Sequence, residues 1–147
     1  MVNLDRGMLT LRDIRQHYLV TTDCTQKLDV LCDLYETLEF AQAIIHCNSR
    51  RSAEYVAMGM KVRDHEVTAV HDGLNRDDRR RNMRNFRGGG ARAIVVNTGT
   101  VRGQVELVVN YDLPMSAEGY MWRAGRHSRY SRRGWAISLV SSERLAS

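Results

Sequence analysis

Residues 122–129 carry arginines at a spacing suited to binding phosphates. The arginines are Arg123, Arg126 and Arg129, at steps of three residues, and Gly125 stands directly before the second. In a helix this spacing places the side chains along one side. A guanidinium group is planar and always charged, and it meets phosphate oxygens through paired hydrogen bonds. The segment therefore indicates a polyphosphate site, although a solvated basic helix end has the same composition.

The elements that position this segment follow from the hydrophobic pattern. Strands are predicted over residues 15–21, 42–46, 66–70, 92–96, 105–110 and 134–140. Helices are predicted over residues 27–38, from Asn48 or Ser49 to 60, over 75–86, and from Ser116 through Trp122. This alternation predicts one three-layer α/β/α domain over residues 1–147, with a mostly parallel sheet between helices on both faces. Ligands of such sheets collect at the carboxyl ends of the strands.

Composition narrows the class of protein. The 147 residues have a net charge of +5 and a pI of about 9.4, and of 22 basic residues only Lys27 and Lys61 are lysine. An excess of arginine suits phosphate contacts, although a GC-rich genome also produces it. The chain has no run of eighteen apolar residues, so no membrane span is expected. Cys24, Cys32 and Cys47 are odd in number and lack CxxC spacing, which indicates reduced thiols in the cytoplasm or nucleus.

Several segments, taken in order, carry a resemblance to a known family. Residues 43–51, 85–89, 109–114 and 122–129 resemble the motifs of the C-terminal RecA-like domain of the DEAD-box RNA helicases. Residues 9–11, 14–18 and 31–35 resemble the branch of translation initiation factor 4A. The resemblance extends from about Leu9 to Val140, and its ordered set of motifs is far more specific than any one of them.

The resemblance implies four residues that contact the RNA backbone: Asn48, Arg51, Gly73 and Thr98. Asn48 and Arg51 stand at a predicted helix start, where N–H groups and the helix dipole attract anions. A plain helix cap followed by a surface arginine has the same pattern. At Gly73 the family has Gly-Asp where this chain has Asp-Gly, so the sequence does not decide whether Gly73 takes the place of the family's glycine. His71 beside Asp72 lacks the further ligands that a metal needs.

The resemblance also assigns catalytic and interdomain roles. Arg126 and Arg129 match the arginine fingers, which stabilise charge on a transferred phosphoryl group. The interdomain and motif residues are Arg79, Arg102, Gly103, Trp122, Arg123 and Gly125. Two positions depart from the family. Trp122 replaces the usual histidine, and after Arg102 and Gly103 a stretch is missing that normally carries an aspartate facing the ribose.

The sequence contains no GxxxxGK(S/T) phosphate loop and no Asp-Glu-Ala-Asp. ATP with its Mg²⁺ is therefore expected on a separate N-terminal RecA-like domain, and this chain alone is expected to be inactive. The first hypothesis is the C-terminal half of an ATP-dependent RNA helicase, with RNA and that domain as partners. The alternatives are a non-catalytic RNA- or protein-binding module, and a scaffold for translation or messenger-ribonucleoprotein factors.

Overall fold

The computed structural model describes residues 14–97, 105–113 and 134–141, which form six strands and three helices. In chain order these are β1 (Ile14–Thr21), α1 (Cys24–Thr37), β2 (Ala43–His46), α2 (Arg50–Val62), β3 (Val67–Val70), α3 (Arg76–Arg87), β4 (Ala93–Val96), β5 (Leu107–Asn110) and β6 (Gly134–Ser141). Each strand lies within one or two residues of its predicted bounds. The helix predicted from Ser116 lies outside the described residues.

The six strands form one sheet in the order β1-β6-β5-β2-β4-β3, and every pairing among them is parallel. The prediction of a mostly parallel α/β sheet is therefore confirmed. β2 lies at the point where the strand order reverses, with β4 and β3 on one side and β5, β6 and β1 on the other. In parallel sheets such a switch point opens a crevice beyond the carboxyl ends of the strands.

Helices cover both faces of the sheet. Alternate residues of a strand point to opposite faces, so Ile45 packs with the residues of α1 and α2, whereas Ile44 packs with Phe86 of α3. All four residues of β2, β4 and β5 are buried, as expected for strands covered on both sides. None of the described helices is long and apolar enough to cross a membrane.

Local capping explains where the helices begin. Ser49 and Asn75 cap α2 and α3, and their side chains accept the N–H groups of Ser52 and Asp78. α1 begins at Cys24, three residues before its predicted start, because the Asp23 side chain accepts the N–H of Gln26. The predicted helix stop at Gly88 is confirmed, and Gly89 adopts the left-handed conformation with φ 83°.

Arg92 stabilises the amino edge of the sheet, which is the edge where the parallel strands begin. Its guanidinium lies 3.8 Å from the ring centre of Phe40 and 4.7 Å from that of Tyr35. It also donates to the carbonyl oxygens of Tyr35 at 2.8 Å and Leu38 at 3.2 Å. These two hydrogen bonds satisfy carbonyl groups at the end of α1. The Tyr35 hydroxyl donates to the Glu66 carbonyl at 2.9 Å, and burial raises the pKa of Tyr35 to about 12.

Candidate functional site

Polar segments that follow neighbouring strands meet at the carboxyl edge of the sheet. β5, β2, β4 and β3 are consecutive in the sheet, and each is followed by polar residues: 111–113, 47–49, Asn97 and 71–75. α2 and α3 begin at the same edge, so their N-terminal ends add two positive helix dipoles. We call these four polar segments, together with the first turns of α2 and α3, the carboxyl edge.

Asp112 organises the start of α2. Its Oδ2 accepts the main-chain N–H of Asn48 at 2.9 Å and the Ser52 hydroxyl at 2.7 Å. Its Oδ1 lies 3.7 Å from the ammonium of Lys27, which sits 5.0 Å from the ring centre of Tyr111. The carboxylate thus occupies the anion position that a helix start offers.

Asn48 uses its main-chain N–H within the protein. The sequence predicts free N–H groups at this helix start, and the N–H of Asn48 is not one of them, because it is donated to Asp112. The side-chain amide of Asn48 donates to the Leu113 carbonyl at 2.7 Å. Asn48 therefore ties β2 to the segment after β5, and its contact with RNA remains a prediction.

Sequence reasoning did not single out Asp112 as a functional residue. The signal lies in the sheet register, because His46 of β2 pairs with Asn110 of β5. Asn48 and Asp112 each follow this pair by two residues, so the register places them opposite each other. The order of the strands is needed to see this, and no local pattern gives it.

A linked group of side chains holds the segment after β3. The Gly73 N–H donates to Nδ1 of the buried His71 at 3.1 Å, and His71 Nε2 lies 3.6 Å from Glu54 Oε1. Glu54 Oε1 also accepts a hydrogen bond from the Nε–H of Arg50 at 3.0 Å, and this bond raises the pKa of Arg50. A Cβ at position 73 would overlap the Arg50 side chain, so the glycine allows Arg50 to lie across this segment.

Arg50, and not Arg51, lies against Gly73. Successive helix residues differ by a large rotation, and the Ser49 cap directs Arg50 toward the segment after β3. Arg51 is exposed in the first turn of α2, and no carboxylate among the described residues forms an ion pair with it. Arg51 thus remains available to an anion at the carboxyl edge, and its predicted RNA contact remains a prediction.

The start of α3 completes the described edge. Arg79 lies in the first turn of α3 and is exposed, and its N–H donates to the Asn75 carbonyl at 3.0 Å. The Asp72 N–H donates to Oδ1 of Asn97 at 3.1 Å, which joins the segments after β3 and β4. Arg79 and Gly73 therefore share the edge with Asn48 and Arg51.

The remaining predicted site residues lie outside the described residues. They are Thr98, Arg102, Gly103, Trp122, Arg123, Gly125, Arg126 and Arg129. Their roles remain predictions. Within residues 14–97, 105–113 and 134–141, no three His, Cys, Asp or Glu side chains are grouped to hold a metal ion.

Comparison with known proteins identifies the family. Residues 26–131 match the model of the helicase conserved C-terminal domain. The chain belongs to this helicase family. The domain is similar to eukaryotic initiation factor 4A of Zea mays, with 42% identity over 142 residues, and to ATP-dependent RNA helicase eIF4A of Mycosarcoma maydis, with 41%. Each match covers 94% of this chain and about a third of the relative, 35% and 34% of their lengths.

Solved structures agree with this assignment. The helicase domain is similar to S. cerevisiae Dbp5 bound to RNA and ADP BeF3, with a TM-score of 0.80 and 30% identity over 96% of this chain and 39% of that one. The sequence-based identification of a DEAD-box C-terminal RecA-like domain of the factor 4A type is confirmed.

Proposed function

We propose that this domain is the C-terminal half of an ATP-dependent RNA helicase, and that its carboxyl edge binds the RNA backbone. Asn48, Arg51, Gly73 and Thr98 would form the RNA contacts. Arg126 and Arg129 would act as arginine fingers on ATP held by an N-terminal RecA-like domain. ATP and RNA together would close the two domains, and hydrolysis would release them.

The convergence of the described motif residues at one edge supports the proposal. Asn48 and Arg51 stand at the start of α2, Gly73 follows β3, and Arg79 lies in the first turn of α3. The exposed guanidinium groups of Arg51 and Arg79 lie on one rim and form a surface complementary to phosphates. A contact of this kind reads the backbone and not the bases, so binding should be independent of sequence.

The nucleotide chemistry is divided between two domains in this proposal. The sequence lacks a phosphate loop, so the N-terminal domain would hold ATP and Mg²⁺, which neutralises charge between the phosphates. Arg126 and Arg129 would reach the γ-phosphate from this domain and stabilise the negative charge of the transition state. Arg79, Arg102, Gly103, Trp122, Arg123 and Gly125 would hold the fingers and the interface between the domains.

RNA binding is tested on the chain alone with Arg51→Gln and its matched control Lys61→Gln. Both side chains are exposed on α2, but Lys61 lies in the last turn, about 15 Å along the helix. Removing one phosphate contact should lower the affinity for single-stranded RNA about fivefold near ~0.1 M salt, whereas Lys61→Gln should leave it unchanged. Equal effects of the two variants would refute specific binding at the carboxyl edge.

The fingers are tested in a chain that joins this domain to the N-terminal RecA-like domain of a relative. Arg126→Ala should lower the rate of RNA-stimulated ATP hydrolysis about a thousandfold or more, because an arginine finger contributes that much to catalysis. The Lys61→Gln control should hydrolyse ATP at the unaltered rate. An Arg126→Ala chain that is as active as its parent would end the finger assignment.

A second candidate is a non-catalytic RNA- or protein-binding module descended from such a helicase. The missing stretch after Gly103 and the tryptophan at position 122 favour it, because an indole neither pairs with a carboxylate nor relays a proton. RNA binding without ATP turnover in the joined chain would support this candidate. Translation or messenger-ribonucleoprotein factors would be further partners under either candidate, and the cytoplasm or nucleus is the proposed location.

A further inference from the structure

α3 carries most of the net positive charge of the chain. Its six arginines and two aspartates give a net charge of +4, and the whole chain has +5. Four of the arginines stand at positions i, i+4, i+8 and i+11 and therefore share one side of the helix. These four residues are Arg76, Arg80, Arg84 and Arg87, and we call them the α3 arginine stripe.

All four side chains of the stripe are exposed, and none forms an ion pair within the described part of the chain. Arg81 is different. It lies off the stripe, and its guanidinium pairs with Asp78 at 2.7 Å. The positive charge of the stripe is therefore not neutralised by neighbouring carboxylates of α3.

The fold does not need this charge. α3 packs on the sheet through Phe86 and Met83, and the Asn82 amide donates to the Ala69 carbonyl at 2.8 Å. Like charges four residues apart on a helix repel each other, as Arg80 does with its neighbours on the stripe. An external polyanion would relieve this repulsion, because its phosphates would lie between the guanidinium groups.

The position of the stripe continues the proposed RNA surface. α3 begins at the carboxyl edge directly after Asn75 and ends at Gly88, near the opposite edge of the sheet. Helix geometry spaces Arg76, Arg80 and Arg84 about 6 Å apart and makes the stripe about 16 Å long. A flexible strand with one phosphate per nucleotide can follow such a row of charges.

We infer that the α3 arginine stripe is a second binding surface for the RNA backbone, which guides the strand away from the carboxyl edge along the outer side of α3. The inference rests on the proposed function in taking RNA as the ligand. It adds Arg80, Arg84 and Arg87, which are not motif residues. Guanidinium groups facing phosphates carry no base readout, so this surface binds RNA of any sequence.

The test compares two double variants of the chain that remove equal charge. Arg80→Gln with Arg84→Gln removes the centre of the stripe, and Arg81→Gln with Lys61→Gln is the control. With a single-stranded oligouridine of about 20 nucleotides, loss of two phosphate contacts should reduce the salt slope of log K by about 1.4. The affinity should fall about 25-fold near ~0.1 M salt in the stripe variant, and it should be unchanged in the control.

Other outcomes separate the two proposals. Equal affinities of the stripe variant and the control would overturn the inference. The inference would also be overturned if the stripe variant lost binding to an acidic polyglutamate peptide but kept its RNA affinity, because the stripe would then bind a protein. If Arg51→Gln leaves RNA affinity unchanged while the stripe variant loses it, the stripe stands and the carboxyl-edge proposal fails.

Discussion

Replacement of Asp112 by alanine should destabilise the domain by about 3 kcal/mol. The carboxylate accepts two hydrogen bonds, from the Asn48 N–H and the Ser52 hydroxyl. A hydrogen bond to a charged group contributes about 1.5–3 kcal/mol, and we take the lower value twice because the Asp112 side chain is 22% exposed. The change also leaves the ammonium of Lys27, whose side chain is 12% exposed, without this carboxylate.

The assay is urea unfolding of the chain followed by circular dichroism. Ser52→Ala removes only one of the two bonds and should cost about 1.5 kcal/mol. In the Ser52→Ala background, Asp112→Ala should cost less than it does in the wild type, because one of its partners is already gone. A cost of Asp112→Ala below about 0.5 kcal/mol, or strictly additive variants, would refute the role given to Asp112.

Two further predictions concern the amino edge. Arg92→Met should lower the free energy of unfolding by about 3 kcal/mol, since it removes hydrogen bonds to three carbonyl groups and the contacts with the rings of Tyr35 and Phe40. Unfolding in urea measures this, and an unchanged midpoint would contradict it. Burial raises the pKa of Tyr35 from 10.0 to about 12, so the folded state holds this proton more tightly. Stability should therefore be constant below pH 10 as far as Tyr35 is concerned and fall between pH 10 and about 12. Unfolding at a series of pH values should show this loss in the wild type and a smaller one in Tyr35→Phe.

Local chemistry made most of the fold predictable. Ser49 and Asn75 are residues that cap helices, and both do so here. α3 ends at Gly88, and the next residue, Gly89, adopts the left-handed conformation that glycine tolerates after a helix. Short runs such as 93–96 are apolar throughout, as strands covered on both faces must be.

The finer geometry of the site was not predictable from local pattern. Asp112 meets Asn48 only because β5 pairs with β2 in one register, and this register depends on the whole sheet. The sequence leaves open whether Asn48 or Ser49 caps α2, and the structure shows the Ser49 cap. The contact of Arg50 with Gly73 depends on how α2 lies against the segment after β3, which no local pattern gives.

Chemical-shift mapping with single-stranded RNA tests the central claim most directly. Titration of the isotope-labelled chain should shift the amide signals of residues 48–52 and 72–79, where α2 and α3 begin. Residues 38–40, which follow α1 at the amino edge, should not respond. The opposite pattern, with responses at the amino edge and none at the carboxyl edge, would contradict the account.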